Sequence, residues 1–439
     1  MKKFFVVSML IVLAVFAISC AAAPTPAPTA APPTAAPKAA TSAPAATTAP
    51  TFPPAPAEIV LGAAVALTGS SSNEGGQFKK AYDLAFKEVN ANGGINVKEY
   101  GKKIPAKLIL YDDKTDPTTA VTLYEKLATE DKVNFFLGGY STAIVQAETV
   151  VPEKYQIPYV NGGGATEAGI YDRGFKNIFG LLPSIAKLSA TLTKWMALQQ
   201  DAGKLPKPLK IAVIAENTSH GVEFRKGFQD AAKAAPDRFQ IVMDEAFELN
   251  LKDAEPLLQK VKAANADVFA ADARVADYTT IQRRYSELAL YHQVLSYGPR
   301  GPETAARTAL GPASNYIVAA NWWDRSLTDD SSKAFLKKYK DAYNNENPDW
   351  FAALGYETAR TMFTAIENAG TLDRAKVRDA LATIKLTPSL VIGGVIQFGA
   401  NGQIQNDYLM TQNLPDGTNA IIYPASLATG AATVPYPKK

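Results

Sequence analysis

Short apolar runs alternate along the chain with longer runs whose apolar residues recur at helical spacing. In the first longer run, one predicted helix face carries Phe78, Ala81, Tyr82, Ala85, Phe86 and Val89. Strands are predicted at 59–67, 107–111, 134–137 and 157–160, and helices at 77–92, 117–130 and 142–154. This β-α-β-α-β-α-β order predicts a parallel sheet covered by helices on both faces.

The same alternation restarts near residue 210. Strands are predicted at 210–215, 240–244, 267–271, 294–297 and 315–320, and helices at 221–235, 253–264, 277–290, 331–345, 350–369 and 373–383. Two last strand-like runs, 394–398 and 408–412, are separated by Asn401-Gly402, which predicts a hairpin. We therefore expect an α/β protein with two doubly wound, Rossmann-like parallel-sheet lobes. A ligand cleft is expected between them, at the carboxyl ends of the strands.

The first 19 residues have the pattern of a secretory signal peptide. Two lysines precede an apolar stretch at 4–18, which is shorter than the roughly 20 residues of a membrane span. The only cysteine, Cys20, follows small residues, as in the bacterial lipobox, so lipidation of Cys20 is predicted. Multiple acyl chains on one residue would anchor the protein stably to a membrane. The alternative is an ordinary signal peptide cut near 21–23, with loss of Cys20.

Residues 20–57 are predicted to be a disordered tether behind the lipidated cysteine. Positions 21–57 hold 16 Ala, 11 Pro and 7 Thr, a composition that cannot bury a core. Fully extended, such a segment reaches roughly 100 Å, at about 3.1 Å per residue. The net charge of +3 is spread along the chain, and no basic run indicates nucleic acid. With two histidines and no cysteine left in the folded part, no metal site or cofactor is predicted.

Several sequence segments, taken in order, resemble type I periplasmic solute-binding proteins of the branched-chain amino acid (Leu/Ile/Val-binding) ABC transporter family. The segments are GAAVALTGSSSNEGGQFKKAYDLAFKEVNANGGI, YDDKTDPTTAV, GGYSTAIVQAETVVPEKYQIPYVNGGGAT, AALGYETARTMFTAIENAG and IQFGANGQ. The resemblance implies a monomeric, extracytoplasmic protein, lipid-anchored here, that closes two lobes on a small polar solute and delivers it to an ABC permease. It implies no enzymatic activity.

The resemblance also implies three crossovers between the lobes, near Pro183, Ala320 and Leu409. Lobe I would then comprise 58–183 and 321–409. Lobe II would comprise 184–320 and 410–439. Each lobe would therefore be discontinuous in sequence, and a hinge motion between them would close the cleft.

Two segments of the first half are candidate ligand-binding segments. Ser141 and Thr142 follow a predicted strand and begin a helix, where a hydroxyl and free N–H groups could hold a carboxylate. A simple N-cap would need the same residue types. The resemblance adds Gly164, Ala165 and Thr166 as a second ligand-binding segment. Turn glycines are the alternative, and the spacing of a dinucleotide-binding loop is absent.

The second half contributes candidates with more open roles. His220 lies where the family commonly has an aromatic lining residue, and Asp272 ends a predicted strand. Two positions depart from the family pattern: Glu74 replaces an aromatic residue, and Arg300 replaces a glutamate that binds the ligand amine. Arg300 suits a carboxylate, whereas Asp272 or Glu303 could meet an amine. The solute could therefore be an amino acid, a dicarboxylate, an aromatic acid, an amide or urea.

Two other functions fit parts of the sequence. The segment 139–143, GYSTA, is one residue from the G-x-S-x-G nucleophile elbow, and both His220 and His292 follow it. This would suit a secreted serine esterase, although the last residue is alanine and His292 lies between a helix and a strand. The other alternative is a ligand sensor that signals to a separate partner.

Overall fold

The computed structural model describes residues 51–438. The predicted signal peptide, Cys20 and most of the predicted tether lie outside the described residues. From residue 52 onward the chain clusters as one compact unit. Among the described residues, none of the helices is long and apolar enough to cross a membrane.

The first half of the described chain alternates strands and helices as predicted. Its elements are β1 (Ile59–Val65), α1 (Ser72–Ala91), β2 (Ile95–Val97), β3 (Lys102–Ile104), β4 (Ala106–Asp112), α2 (Pro117–Thr129), β5 (Phe135–Leu137), α3 (Thr142–Glu148), α4 (Val150–Tyr155), β6 (Tyr159–Asn161) and β7 (Ile178–Gly180). Five of the strands form a parallel sheet, here called the first sheet, in the order β4-β1-β5-β6-β7. The short strands β2 and β3 pair separately and antiparallel.

The second half builds a larger sheet, here called the second sheet. Its elements are α5 (Ala186–Asp201), β8 (Leu209–Glu216), α6 (Ser219–Ala234), β9 (Phe239–Phe247), α7 (Glu255–Ala263), β10 (Val268–Asp272), α8 (Val275–Glu287), β11 (Val294–Tyr297), α9 (Thr304–Leu310), β12 (Val318–Asn321), α10 (Asp330–Ala342), α11 (Trp350–Ala369), α12 (Arg374–Ala382), β13 (Leu409–Asn413) and β14 (Asn419–Tyr423). The strand order is β14-β13-β12-β11-β10-β8-β9. Strands β8 to β12 are parallel to one another. Strand β13 is antiparallel to both of its neighbours, β12 and β14. The predicted α/β fold with two parallel sheets is therefore confirmed.

Hydrogen bonds join the segments in which the chain passes from one sheet to the other. The indole N–H of Trp322, which follows β12, donates to the Leu181 carbonyl at 2.7 Å. The Tyr408 hydroxyl, just before β13, donates to the Pro183 carbonyl at 2.8 Å. Helix α11 packs on α1 of the first sheet despite its distance in sequence. A discontinuous pair of lobes is consistent with this packing, and the lobe boundaries given above stay a prediction.

One local prediction was wrong, and a second was confirmed only in part. The helix predicted at 142–154 is split into α3 and α4, because Pro152 has no N–H to donate to the Glu148 carbonyl. A tight antiparallel turn does form at Asn401-Gly402, where Phe398 bridges Ile404, but the run at 408–412 does not pair with 394–398. The Gly402 carbonyl also accepts from Gly180, and the Ile404 N–H donates to Gly180, so the second arm of the turn lies on the edge of β7 as well. Strand β13 pairs with β12 and β14.

Helix α1 begins close to the end of β1, and one glycine makes this approach possible. A Cβ built on Gly75 would lie 1.9 Å from the Ala66 carbonyl oxygen, whereas nothing lies within 4 Å of a Cβ built on Gly76. Both glycines lie in the first turns of α1. The two neighbours therefore have opposite steric constraints in the same helix.

We expect Gly75→Ala and Gly76→Ala to change stability in opposite directions. Gly75→Ala should lower the free energy of unfolding by about 1–3 kcal/mol, because the methyl group overpacks the start of α1. Gly76→Ala should raise it by about 0.5–1 kcal/mol, because alanine favours the helix. Urea denaturation of both variants measures the difference. Equal effects of the two substitutions would contradict the close approach of α1 to β1.

Candidate functional site

The loops that follow β5 and β6 touch at the carboxyl end of the first sheet. A Cβ built on Gly163 would lie 2.1 Å from the Gly139 carbonyl oxygen and 2.7 Å from the Tyr140 Cα. Gly163 therefore brings the segment that carries Thr166 against the segment that carries Ser141. The two predicted ligand-binding segments are neighbours in the structure.

The other two glycines of the NGGGAT segment are also explained by packing. A Cβ on Gly162 would lie 2.8 Å from Leu354 in α11, and one on Gly164 would lie 2.4 Å from Val145 in α3. None of the three glycines has a positive φ. Close contact with protein atoms, rather than with a solute, accounts for these glycines.

Several backbone groups of the same segment already have protein partners. The Gly164 N–H donates to Asn161 at 3.0 Å, and the Gly164 carbonyl accepts from the Tyr171 hydroxyl at 2.7 Å. The Ala165 carbonyl accepts from the Gln403 side chain at 2.9 Å. The predicted role of Gly164 and Ala165 as ligand contacts stays a prediction, and these hydrogen bonds assign them a part in shaping the loop.

Three buried hydroxyls lie beyond the carboxyl ends of three neighbouring strands, and they lack a hydrogen-bond partner among the described residues. They belong to Ser71 after β1, Ser141 after β5 and Thr166 after β6, with residue exposures of 0%, 6% and 3%. Ser71 and Ser141 occupy the N-cap positions of α1 and α3, yet neither side chain caps its helix. The simple N-cap interpretation of Ser141 is therefore wrong. Thr142 is also buried, as the first residue of α3.

Three buried tyrosines form hydrogen bonds with the end of β5, the loop after it and helix α3, on either side of Ser141. The hydroxyls of Tyr82 and Tyr124 donate to the carbonyls of Gly138 and Leu137, the latter at 2.7 Å. The Tyr159 hydroxyl donates to Glu148 in α3.

The buried Glu148 is a titratable part of this support. Burial raises the pKa of Glu148 to about 8, although the Tyr159 hydroxyl and the Gly139 N–H act in the opposite direction. The carboxyl group is therefore largely protonated at neutral pH. Sequence reasoning missed Glu148, whose only signal is an acidic residue within the predicted helix 142–154.

His220 and Asp272 form an ion pair at the facing end of the second sheet. His220 Nε2 lies 2.6 Å from Asp272 Oδ2, and the Asp272 side chain is 3% exposed. Burial alone would lower the pKa of His220, but the Asp272 carboxylate outweighs it and raises that pKa to about 9. Glu216 and Glu223 act in the same direction. The histidine is therefore charged at neutral pH, and Asp272 already has a cationic partner.

Arg300 links the two sheets in a second buried cluster, here called the arginine cluster, of Arg300, Glu74, Glu303 and Tyr140. Arg300 Nη1 donates to Glu303 at 2.8 Å and to Glu74 at 3.5 Å, and Nη2 donates to the Tyr140 hydroxyl. The guanidinium also lies 5.3 Å and 5.4 Å from the ring centres of Tyr140 and Phe351. Burial raises the pKa of Glu303 to about 8, against the opposing effect of Arg300.

The arginine cluster pairs Arg300 with Glu74. Both were predicted to face a solute, but in the structure their charged groups bind each other across the gap between α1 and the turn after β11. Tyr140 and Phe351 were not predicted to be near Arg300. A tyrosine directly before Ser141 was the available signal for the former.

Further hydrogen bonds join the carboxyl ends of the first and second sheets. Ser219 donates to Gln146 at 2.9 Å, the Glu167 N–H donates to Glu223 at 3.0 Å, and Arg274 donates to Ser70 at 3.4 Å. The loops at the carboxyl ends of the two sheets therefore meet in this conformation.

The geometry does not assemble a serine hydrolase site among the described residues. Ser141 Oγ is hydrogen-bonded to neither histidine. His220 is paired with Asp272, and His292 Nδ1 lies 2.8 Å from the Tyr285 hydroxyl, before the amino end of β11. Burial lowers the pKa of His292 to about 4. His292 is a packed core residue.

Comparison with known proteins agrees with this architecture. The sequence model of the periplasmic binding protein family matches residues 58–418. The Leu/Ile/Val-binding protein homolog 7 of Brucella abortus (strain 2308) is 24% identical over 393 residues, covering 87% of this chain and 95% of the relative.

Two solved structures share the fold at low sequence identity. One is LivJ of Streptococcus pneumoniae str. Canada MDR_19A, a branched-chain amino acid transporter substrate binding protein in complex with isoleucine. Its TM-score is 0.71 at 19% identity, over 82% of this chain and 97% of that chain. The other is an ABC transporter solute binding protein from R. palustris in complex with benzoate, with a TM-score of 0.71 at 17% identity, over 86% of this chain and 99% of that chain. Together with two parallel sheets whose carboxyl ends meet, the family match over 58–418 shows that this chain belongs to the periplasmic binding protein family.

Proposed function

We propose that this protein is the solute-binding component of an ABC importer, which closes on a small carboxylate or amide between its two sheets and delivers it to a permease. The observation that carries this proposal is the set of three buried hydroxyls, on Ser71, Ser141 and Thr166, that have no hydrogen-bond partner within residues 51–438. Buried polar groups are normally hydrogen-bonded, so three such groups at neighbouring strand ends indicate a polar ligand. The names of the relatives and of both solved structures support the transport role.

The charge pairing at the site favours a solute without an ammonium group. Asp272 is paired with His220, while Glu74 and Glu303 share Arg300. An ammonium group would have to displace one of these cations to reach a carboxylate. The benzoate bound by the R. palustris neighbour is a solute of the favoured kind, whereas the isoleucine bound by LivJ carries an ammonium group.

A thermal-shift screen tests the proposal with branched-chain amino acids, dicarboxylates, benzoate, 4-hydroxybenzoate, primary amides and urea. A bound solute raises the melting temperature, since a ligand at 100 times its Kd stabilises by about 2.7 kcal/mol. We expect the acids or amides to give the largest shift. If leucine, isoleucine or valine gave the largest shift, the charge argument would be wrong but the binding function would stand. No shift with any solute would contradict the function.

Variants that remove single hydroxyls test the site. We expect Ser141→Ala and Thr166→Val to weaken binding of the selected solute by about 10- to 100-fold, as for loss of a hydrogen bond to a charged group. Ser389→Ala is the matched control, because its hydroxyl is also buried and unpartnered but belongs to neither candidate ligand-binding segment. Isothermal titration calorimetry measures the three affinities. Equal losses in Ser141→Ala and Ser389→Ala would argue against the site.

The His220–Asp272 pair predicts a specific pH dependence of stability. The folded pKa of His220 is about 9, above its ordinary value of 6.5, so the pair's contribution is complete below pH 6.5. It is lost as the pH rises through 9, at a cost of about 3 kcal/mol. We expect His220→Asn to remove this part of the slope between pH 7 and 10. Unfolding by urea across this pH range measures the effect.

The second histidine is the control for that experiment. His292 is uncharged in the folded state above pH 4, and its unfolded form is also uncharged above 6.5. His292→Asn should therefore keep the wild-type slope above pH 7, even if it lowers stability overall. A His220→Asn variant with the full wild-type slope would contradict the charged pair.

Membership of the periplasmic binding protein family implies an extracytoplasmic location. We further propose that Cys20 is lipidated and anchors the protein to the membrane, since small residues precede it directly after an apolar stretch. Metabolic labelling with a palmitate analogue should label the wild type in the membrane fraction. Cys20→Ala should lose the label and the membrane association, whereas Lys38→Ala in the tether should keep both. Label retained in Cys20→Ala would contradict the anchor.

A further inference from the structure

The backbone and the side chain of Arg300 are both held in place at the contact between the two sheets. Its N–H donates to the Tyr297 carbonyl at 2.8 Å, and its carbonyl accepts from the Glu303 N–H at 3.1 Å, so the turn after β11 fixes its backbone. Its side chain is 5% exposed, as are those of Glu74 and Glu303 at 4% and 0%. The guanidinium therefore spans from the second sheet to α1 without reaching bulk water.

Tyr140 connects this arginine to the hydroxyl of Ser141, the next residue. The Tyr140 ring stacks on Phe78 at 6.5 Å and meets Phe351 edge-on at 5.1 Å, and its hydroxyl accepts from Arg300. Phe78 and Phe351 belong to α1 and α11, which pack on each other. Of these three contacts of Tyr140, the one with Arg300 comes from the second sheet, through the turn after β11.

We propose that Arg300 is a positioning residue that holds the two sheet ends together and fixes the Tyr140–Ser141 segment for solute binding. This inference rests on the proposed function of solute binding. It gives Arg300 a role through Tyr140, in place of the direct contact with a solute anion that the sequence predicts. Separation of the two sheet ends would release Tyr140, so closure and assembly of the Ser141 segment occur together.

The charges around Arg300 explain why a neutral replacement would not suffice. Glu74 and Glu303 both approach Nη1, at 3.5 Å and 2.8 Å, so one guanidinium serves two acidic side chains as their hydrogen-bond donor. Without it, two acidic side chains would face each other in a buried place, and a buried charge without its partner is strongly unfavourable. A lysine would keep the charge but could not reproduce the planar fork that contacts Tyr140 and the acids at once.

Hydrogen–deuterium exchange on the full-length protein without solute tests the positioning role directly. In Arg300→Gln we expect exchange to rise about 10- to 100-fold at amides 138–146 and 70–76, as for loss of a hydrogen bond to a charged group. Amides of β8 should stay within about twofold of the wild type. Arg300→Lys should give an intermediate rise at the same amides. It replaces Arg300→Gln as the test variant if Arg300→Gln does not fold.

Arg274→Gln is the matched control for this experiment. Arg274 also extends from the second sheet to the first, where it donates to Ser70 at 3.4 Å, but it is more exposed and its ion pair is with Glu216 at 3.6 Å. Its removal should leave the exchange at amides 138–146 unchanged. A uniform rise across the chain in Arg300→Gln, or no rise at 138–146, would overturn the proposal.

A paired titration separates positioning from direct contact. Benzoate and benzamide differ in charge but little in shape, so a positioning role predicts that Arg300→Gln weakens the binding of both by a similar factor. Loss of benzoate binding alone would show direct contact with the anion and would overturn the proposal. If the wild type bound no solute in the screen, the proposed function would fail, while the exchange experiment would still decide the role of Arg300.

Discussion

Contact between the loops after β5 and β6 determines where the candidate site can form. These loops meet because Gly163 has no side chain, and a Cβ there would lie 2.1 Å from the Gly139 carbonyl oxygen. Ser141 lies two residues beyond Gly139, and Thr166 lies three residues beyond Gly163. Their hydroxyls are therefore set by one backbone contact, with Tyr82 and Tyr124 holding the preceding carbonyls from behind.

Buried ion pairs are a second constraint on the region where the two sheet ends meet. Separating the members of a buried ion pair is strongly unfavourable, because it leaves a buried charge without its partner. The arginine cluster and the His220–Asp272 pair both lie where the sheet ends meet. One apolar cluster contains residues of both sheets and so already joins the two halves, and these ion pairs add a polar constraint where the sheet ends meet.

Much of the fold could be predicted from the sequence, because a strand and a helix leave different apolar periods in the chain. Periodicity records only local structure, however. Asn401-Gly402 does form an antiparallel turn that pairs Phe398 with Ile404, but its second arm also pairs with Gly180, more than 200 residues away in a strand of three residues, and not with 408–412. Such a short strand leaves no periodic signal, so the predicted hairpin partner was wrong.

The candidate site was predictable to a lesser extent. Ser141 and Thr166 could be selected because each follows a strand in a segment that resembles a known family. Ser71, Tyr140 and Phe351 could not, because their proximity depends on how α1 and α11 pack at the sheet end. Nor could the sequence show that Arg300 already has two acidic partners, since Glu74 is separated from it by 226 residues.

These observations bear on where binding energy would come from in the proposed function. A buried hydroxyl without a partner costs about 1–3 kcal/mol, and a solute that supplies the missing hydrogen bond recovers that cost. Arg300 and Asp272 offer no comparable gain, because a solute would replace an existing ionic contact with a similar one. Affinity would therefore depend on hydrogen bonds to Ser71, Ser141 and Thr166. Selectivity would then follow from the geometry of these hydroxyls, while the paired charges disfavour a solute with an ammonium group.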